Sequence, residues 1–164
     1  MYRIGQSRDV HRLEAGRKLV LGTVSIPCEF GCVAHSDGDA LVHAIVEAVL
    51  GALALGDIGK FFPDNDPKYK GIDSSYFLDE VKKILIKENY EIVNIDSTIH
   101  IEKPMMRPYI ELMRDGIAEH LGISKDKVNV KATRGEKIGF VGRGEGVEAE
   151  CVILLKHQSI ITKL

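Results

Sequence analysis

Asp9 and His11 stand two apart in a β-prone stretch. Residues so spaced on a strand project to the same side, about 6.7 Å apart along the chain. A carboxylate and an imidazole placed that way can converge on one divalent ion, or can be a surface aspartate beside a hydrogen-bonded histidine. A second concentration is His35-Ser36-Asp37-Gly38-Asp39, followed by His43 and Glu47. On a helix, Asp39, His43 and Glu47 form one polar stripe with a carboxylate one turn either side of the imidazole. Those acids either hold the His43 tautomer or belong to a solvated face. His35 and Ser36 fall just before the helix start, where free N–H groups and the dipole favour an anion such as phosphate. The third stretch, residues 131–146, holds Arg134, Glu136, Phe140 and Arg143 among glycines that can let backbone amides approach a phosphate. Gly142-x-Gly144-x-Gly146 is not the dinucleotide fingerprint, and there is no Walker loop. Asp64-Asn65-Asp66 begins like a calcium loop, but Pro67 follows and the sixth place lacks glycine.

These residues need elements to position them. Residues 2–11 and 18–26 are β-prone and split by Glu14-Ala15-Gly16. A helix is predicted over 38–55, with Ala40, Leu41, Ala44, Ile45, Ala48 and Val49 as its apolar stripe and Asp37 as its N-cap. Residues 56–71 form a loop long enough to suspect function. A second helix starts near Asp73-Ser74-Ser75 and ends before Tyr90, with Phe77, Leu78 and Val81 on its apolar face. A strand over 91–101 precedes a helix running from Pro108 to a stop at Gly122, and strands follow at 127–133 and 147–157. This order predicts an α+β fold, a mixed and mostly antiparallel sheet with helices packed on one face.

The 164 residues suit one domain, read as 1–164 with a tail from about 158. Lys plus Arg is 22 against 24 for Asp plus Glu, a balance that argues against nucleic acid and against a polybasic membrane surface. No run nears the roughly 18 apolar residues of a membrane span. Residues 1–5 lack the apolar core of a signal peptide, so a cytoplasmic chain without a cleaved leader is expected. Cys28, Cys32 and Cys151 are an odd count, fitting buried or incidental thiols in a reducing compartment.

Taken together, several stretches resemble the 2-C-methyl-D-erythritol 2,4-cyclodiphosphate synthase family of the non-mevalonate isoprenoid pathway. They are Arg3-Ile4-Gly5 with Asp9-x-His11, Ala34-His35-Ser36-Asp37-Gly38-Asp39 with His43, and Leu55-Gly56-Asp57-Ile58-Gly59-Lys60 with Phe62-Pro63-Asp64-x-Asp66-Pro67. Val128-Asn129-Val130-Lys131-Ala132-Thr133 and Glu136-Lys137-Ile138-Gly139-Phe140-x-Gly142-Arg143-Gly144-Glu145-Gly146 complete the set.

The resemblance implies a phosphorus–oxygen lyase that converts 4-diphosphocytidyl-2-C-methyl-D-erythritol 2-phosphate to the cyclic diphosphate and CMP. By that likeness Asp9, His11 and His43 hold zinc, and Glu136 holds magnesium or manganese with the diphosphate. His35 stabilises the transition state, and Ser36, Asp57, Ile58, Gly59, Phe62, Pro63, Asp64, Asn65 and Asp66 meet the substrate. Pro104, Met105, Met106, Ala132, Thr133 and Gly135 cradle cytidine and its phosphates. The family is a homotrimer with active sites between subunits, so Phe140 and Arg143 are expected to line a central channel suited to an isoprenoid diphosphate. Two departures concern the phosphates: Arg134-Gly135 replaces the usual threonines, which makes Arg134 a candidate catalytic cation, and Lys103-Pro104-Met105-Met106 differs from the common order. Competing readings are a metal-dependent phosphohydrolase and a non-catalytic trimeric binder of isoprenoids or nucleotides.

Overall fold

The computed structural model describes residues 1–158, so the tail expected from about 158 lies, past its first residue, outside them. Inward Gly5 and Ser7 alternate with exposed Ile4 and Val10, which makes the N-terminal stretch a strand, β1 (Tyr2–Ala15). It outruns the expected 2–11 because Leu13, Glu14 and Ala15 find partners further along the chain. The 18–26 segment is a hairpin, β2 (Leu19–Leu21) and β3 (Val24–Ile26), turning at Gly22 and Thr23 with φ of 57° and 70°. A three-residue strand that the sequence did not announce, β4 (Phe30–Cys32), pairs with the end of β1.

Helix α1 (Ala40–Ala52) is capped by Asp39, not by Asp37. The Asp39 carboxylate accepts from Val42 N at 3.0 Å, and also from Gly22 N at 2.8 Å and Thr23 N at 2.7 Å. One residue thus caps the helix and clasps the hairpin turn, which is why it is fully buried rather than on a solvated stripe. The loop over 56–71 contains a short helix, α2 (Ile58–Phe61), and a 3₁₀ turn at Pro67–Tyr69. Then follow α3 (Ser75–Lys87), β5 (Tyr90–His100), α4 (Ile110–Leu121), β6 (Val128–Thr133), α5 (Gly139–Gly142) and β7 (Gly146–His157). Gly122 stops α4 with φ 68°, the left-handed conformation expected there.

The main sheet has the order β4-β1-β7-β5-β6, antiparallel throughout except for the β5–β6 pair. This is the expected α+β class with a mixed, mostly antiparallel sheet. Helix α1 lies across β1 and β7 on one face, over inward Val147, Ala149, Cys151, Ile153 and Leu155. Ala44, Ala48 and Ala52 form its strand-facing edge, and there Gly5 lets the two backbones meet: a Cβ at Gly5 would lie 1.9 Å from Ala48 O. Ser7 donates its hydroxyl proton to Ala44 O one step along. No described helix is long and apolar enough to cross a membrane.

Candidate active site

The close contact of β1 with α1 builds the centre of the site. Asp9 and His11 follow Gly5 and Ser7 on the helix-facing side of β1, and His43 follows Ala40 on α1. Asp9 Oδ2 lies 2.9 Å from His11 Nδ1 and 3.5 Å from His43 Nδ1, and the two rings are tilted with centroids 5.2 Å apart. Asp9 Oδ2 and His11 Nδ1 are buried and neither has a hydrogen-bond partner. Burial works against the Asp9 charge, but His11 and His43 outweigh it and hold the carboxyl well below its usual range. Burial likewise works against protonation of His43, and Asp9 outweighs that, raising the ring above its ordinary value. Orphaned buried atoms on one ionised carboxylate and one imidazole, with the His43 ring beside them, fit a divalent transition ion, and these residues form a group able to hold one.

An open pocket of about 350 Å³ lies over this group. His35 and Ser36 line it, together with Ile58, Phe62 and Asp64 from the 56–71 loop. That loop is tied down by Gly71 N donating to His35 O at 2.7 Å and by His35 Nε2 donating to Asp66 O at 3.1 Å. The Asp57 and Asp66 carboxylates act locally, accepting from Lys60 N and Lys68 N at the starts of their helical turns. Gly59, Pro63 and Asn65 belong to the same loop but do not line the pocket. Glu47, which the stripe placed either beside His43 or on a solvated face, is affected first by burial and then by Asp57, which together push its carboxyl up.

A second group gathers elsewhere. Ile101 N donates to Thr133 O at 3.1 Å and Gly135 N to Glu102 Oε2 at 3.0 Å, which joins the 101–107 stretch to Ala132, Thr133 and Gly135. Met105 is exposed, but Met106 is only 3% exposed and its carbonyl accepts from Tyr109 N at 2.9 Å, so its side chain is a core anchor. Asp9, Ala149, Ile99 and Ala132 are partners in one row across the sheet. Three strand spacings therefore separate Asp9 from Ala132, about 14 Å. Arg134 and Glu136, just beyond Ala132, thus stand apart from the Asp9 group within one subunit. Glu136 and Lys137 have φ of 50° and 62°, and a Cβ on Gly135 would meet Gly142 N at 2.4 Å. The glycines here let the loop pack on itself, a use the phosphate-cradle reading had not foreseen. Phe140 lies against Gly146, and Arg143 is paired with Glu145 at 2.9 Å.

The sequence reading missed part of the wall. Tyr69 and Phe77 line the pocket, each ring packed against Phe62, at centroid distances of 5.7 and 4.7 Å. The helical spacing of Phe77 predicts a core position and at 3% exposed it is one; the same ring also walls the pocket, which spacing does not announce. Another group able to hold a metal, His100 with Glu148 and Glu150, lies on the sheet face away from α1. Glu148 there is gripped by Arg8 through two bonds of 2.7 Å, so its oxygens are already engaged.

The YgbB family model matches residues 2–156. A 2-C-methyl-D-erythritol 2,4-cyclodiphosphate synthase of Alkaliphilus metalliredigens is 58% identical over 151 residues, which is 92% of this chain and 95% of that one. The bifunctional IspDF of Campylobacter jejuni superposes with a TM-score of 0.93 at 36% identity, over 97% of this chain but only 43% of that longer one. The IspF of Plasmodium falciparum in its CDP complex superposes with a TM-score of 0.85 at 32% identity, covering 96% of this chain and 97% of that one. From the Asp9-x-His11 strand to the end of β7, the chain belongs to the YgbB family of 2-C-methyl-D-erythritol 2,4-cyclodiphosphate synthases.

Proposed function

We propose that this chain is a 2-C-methyl-D-erythritol 2,4-cyclodiphosphate synthase, a phosphorus–oxygen lyase formed by the single domain 1–164 and acting in the cytoplasm. The observation that carries the reading is the buried, unpartnered Asp9–His11 pair facing His43 under a pocket walled by His35 and Ser36. In the reaction a 2-phosphate oxygen attacks the phosphorus attached to the erythritol; the bond from that phosphorus to the CMP oxygen breaks, and CMP leaves with the electron pair. A phosphate with a second pKa near 6 is mostly dianionic at neutral pH, so positioning and positive charge matter more than a strong base.

Asp9, His11 and His43 would hold the zinc ion, which when bound supplies positive charge against phosphate oxygens. Glu136 would hold a harder ion, magnesium or manganese, beside the diphosphate. His35 spends its Nε2 proton on Asp66 O, so Nδ1 is the ring atom left for the substrate. Ser36 Oγ accepts from Gly38 N at 3.2 Å, which leaves its hydroxyl proton for a phosphate oxygen. Phe62, Tyr69 and Phe77 exclude water from one side of the pocket. Pro104, Met105, the Met106 backbone, Ala132, Thr133 and Gly135 would receive cytidine and its phosphates, and Arg134 would meet charge developing on the diphosphate.

The separation of the two groups within one subunit supports a homotrimer in which a neighbour's 132–136 segment completes each pocket. Exposed Tyr2, Ile4 and Val152 on the sheet face away from α1 support burial of that face between copies. Phe140 and Arg143 would line the central channel, and an isoprenoid diphosphate there would have to draw Arg143 from Glu145. Incubating the protein with the cytidine substrate tests the reading: cyclic diphosphate plus CMP is expected, and both are lost on chelation. Release of inorganic phosphate would favour a phosphohydrolase, and binding without turnover a non-catalytic binder.

A further inference from the structure

Ser74 occupies the N-cap position of α3, yet its side chain makes no capping bond. It is fully buried; its hydroxyl and N–H are turned toward Asp37 and His43, while its carbonyl accepts from Phe77 N at 2.9 Å. The Ser74 hydroxyl donates to Asp37 Oδ1, and its N–H donates to Asp37 Oδ2 at 3.0 Å. Asp37 is available for this because Asp39 caps α1 in its place. An ionised carboxylate only accepts, so the single Ser74 hydroxyl proton is committed to Asp37. Ser74 Oγ, 3.1 Å from His43 Nε2, must therefore accept there.

We infer that Asp37 and Ser74 are positioning residues that keep the His43 ring proton on Nε2 and so turn the Nδ1 lone pair toward Asp9 and the metal position. The inference rests on the reading of Asp9, His11 and His43 as metal ligands. Two further contacts agree with it. Ser36 Oγ, 3.3 Å from the same Nε2, is a second acceptor for that proton. Phe77, on the turn of α3 after Ser74, meets the imidazole edge-on at 5.7 Å and limits rotation of the ring plane. Ligand histidines of metal sites are commonly oriented through their second nitrogen, and losing such a partner costs about 10–100-fold in metal affinity. Here the orienting chain joins α1 to α3, elements whose relevant residues are 31 apart in sequence.

The test uses the full chain, as the parent and as Asp37→Asn and Ser74→Ala. Zinc affinity is read by competition with a chromophoric chelator, and the ring nitrogen of His43 that carries the proton by ¹⁵N NMR of zinc-loaded protein. Asp37→Asn keeps the shape, but its amide can donate to Ser74, freeing the hydroxyl proton to point at His43. The expected results are an Nε2–H ring in the parent, mixed tautomers in Asp37→Asn, and zinc affinity about 10–100-fold weaker in both variants. Variants that melt earlier yet keep the tautomer and the affinity would reduce the pair to a structural clasp and overturn the inference. An Nδ1–H ring in the zinc-loaded parent would overturn it as well. A parent that binds no zinc would overturn the metal reading beneath it.

Discussion

Replacing Gly5 by alanine sets two physical arguments against each other. By conformational entropy alone, glycine within a strand costs roughly 0.5–1 kcal/mol relative to alanine, so the substitution should stabilise. Packing gives the opposite sign. The new Cβ would sit 1.9 Å from Ala48 O and 2.9 Å from Ala52 Cβ, both on α1. Reaching an ordinary separation requires strand and helix to part by about 1.5 Å, and overpacking of this kind costs about 1–3 kcal/mol. The same parting moves Asp9 and His11, on β1, away from His43, on α1. Metal sites tolerate ligand displacements of only about 0.2 Å, so zinc affinity should fall along with stability. The assay is urea unfolding of the zinc-free protein together with chelator competition for zinc, on Gly5→Ala and on a control, Gly51→Ala. Gly51 is exposed on α1 with nothing within 4 Å of where its Cβ would lie, so the control should gain about 0.5–1 kcal/mol and keep its zinc affinity. If Gly5→Ala is as stable as the parent and binds zinc equally well, the close β1–α1 contact is not what sets the site.

Other outcomes follow from separate parts of the molecule. Arg134→Ala should lower turnover by about 100-fold, the worth of one charge-stabilising donor, with CMP binding nearly unchanged; turnover at the parent rate would make Arg134 a solvated surface charge. Burial pushes the Cys32 and Cys151 thiols up to about 12, whereas Cys28 is only half-buried. At pH 8 a thiol reagent should therefore modify Cys28 alone until denaturant is added, and rapid labelling of all three would contradict the burial. Arg8 holds the Glu148 carboxyl below its usual value. The pair thus adds stability that is fully present above the unfolded value and lost as pH falls through the lowered one. Because Arg8 is about half exposed, solvent screens the pair and the gain is small, and Glu148→Gln should lower the melting temperature at pH 7 more than at pH 3.

Local pattern was enough for much of this protein. Alternation and helical spacing identify β1, α1, α3, β5, α4, β6 and β7 because each element has one face to bury, and that need is written into consecutive residues. Asp9-x-His11 was legible for the same reason, since a strand's period puts both side chains on one side. The cap of α1 was misplaced by two residues because Asp37 and Asp39 are chemically equivalent in sequence. Only the hairpin turn at Gly22 and Thr23 distinguishes them, by lending Asp39 two more donors and leaving Asp37 for Ser74. Likewise, nothing in the spacing of residues 37, 43 and 74 joins them, because the packing of α3 beside α1 brings them into one hydrogen-bonded chain. Sheet order sets the distance between the Asp9 group and the Ala132 stretch. With β7 and β5 inserted between β1 and β6, Asp9 and Ala132 lie three strands apart. Strand pairing is a non-local choice, made where sheet and helices bury most together, and a linear chain carries no direct mark of it.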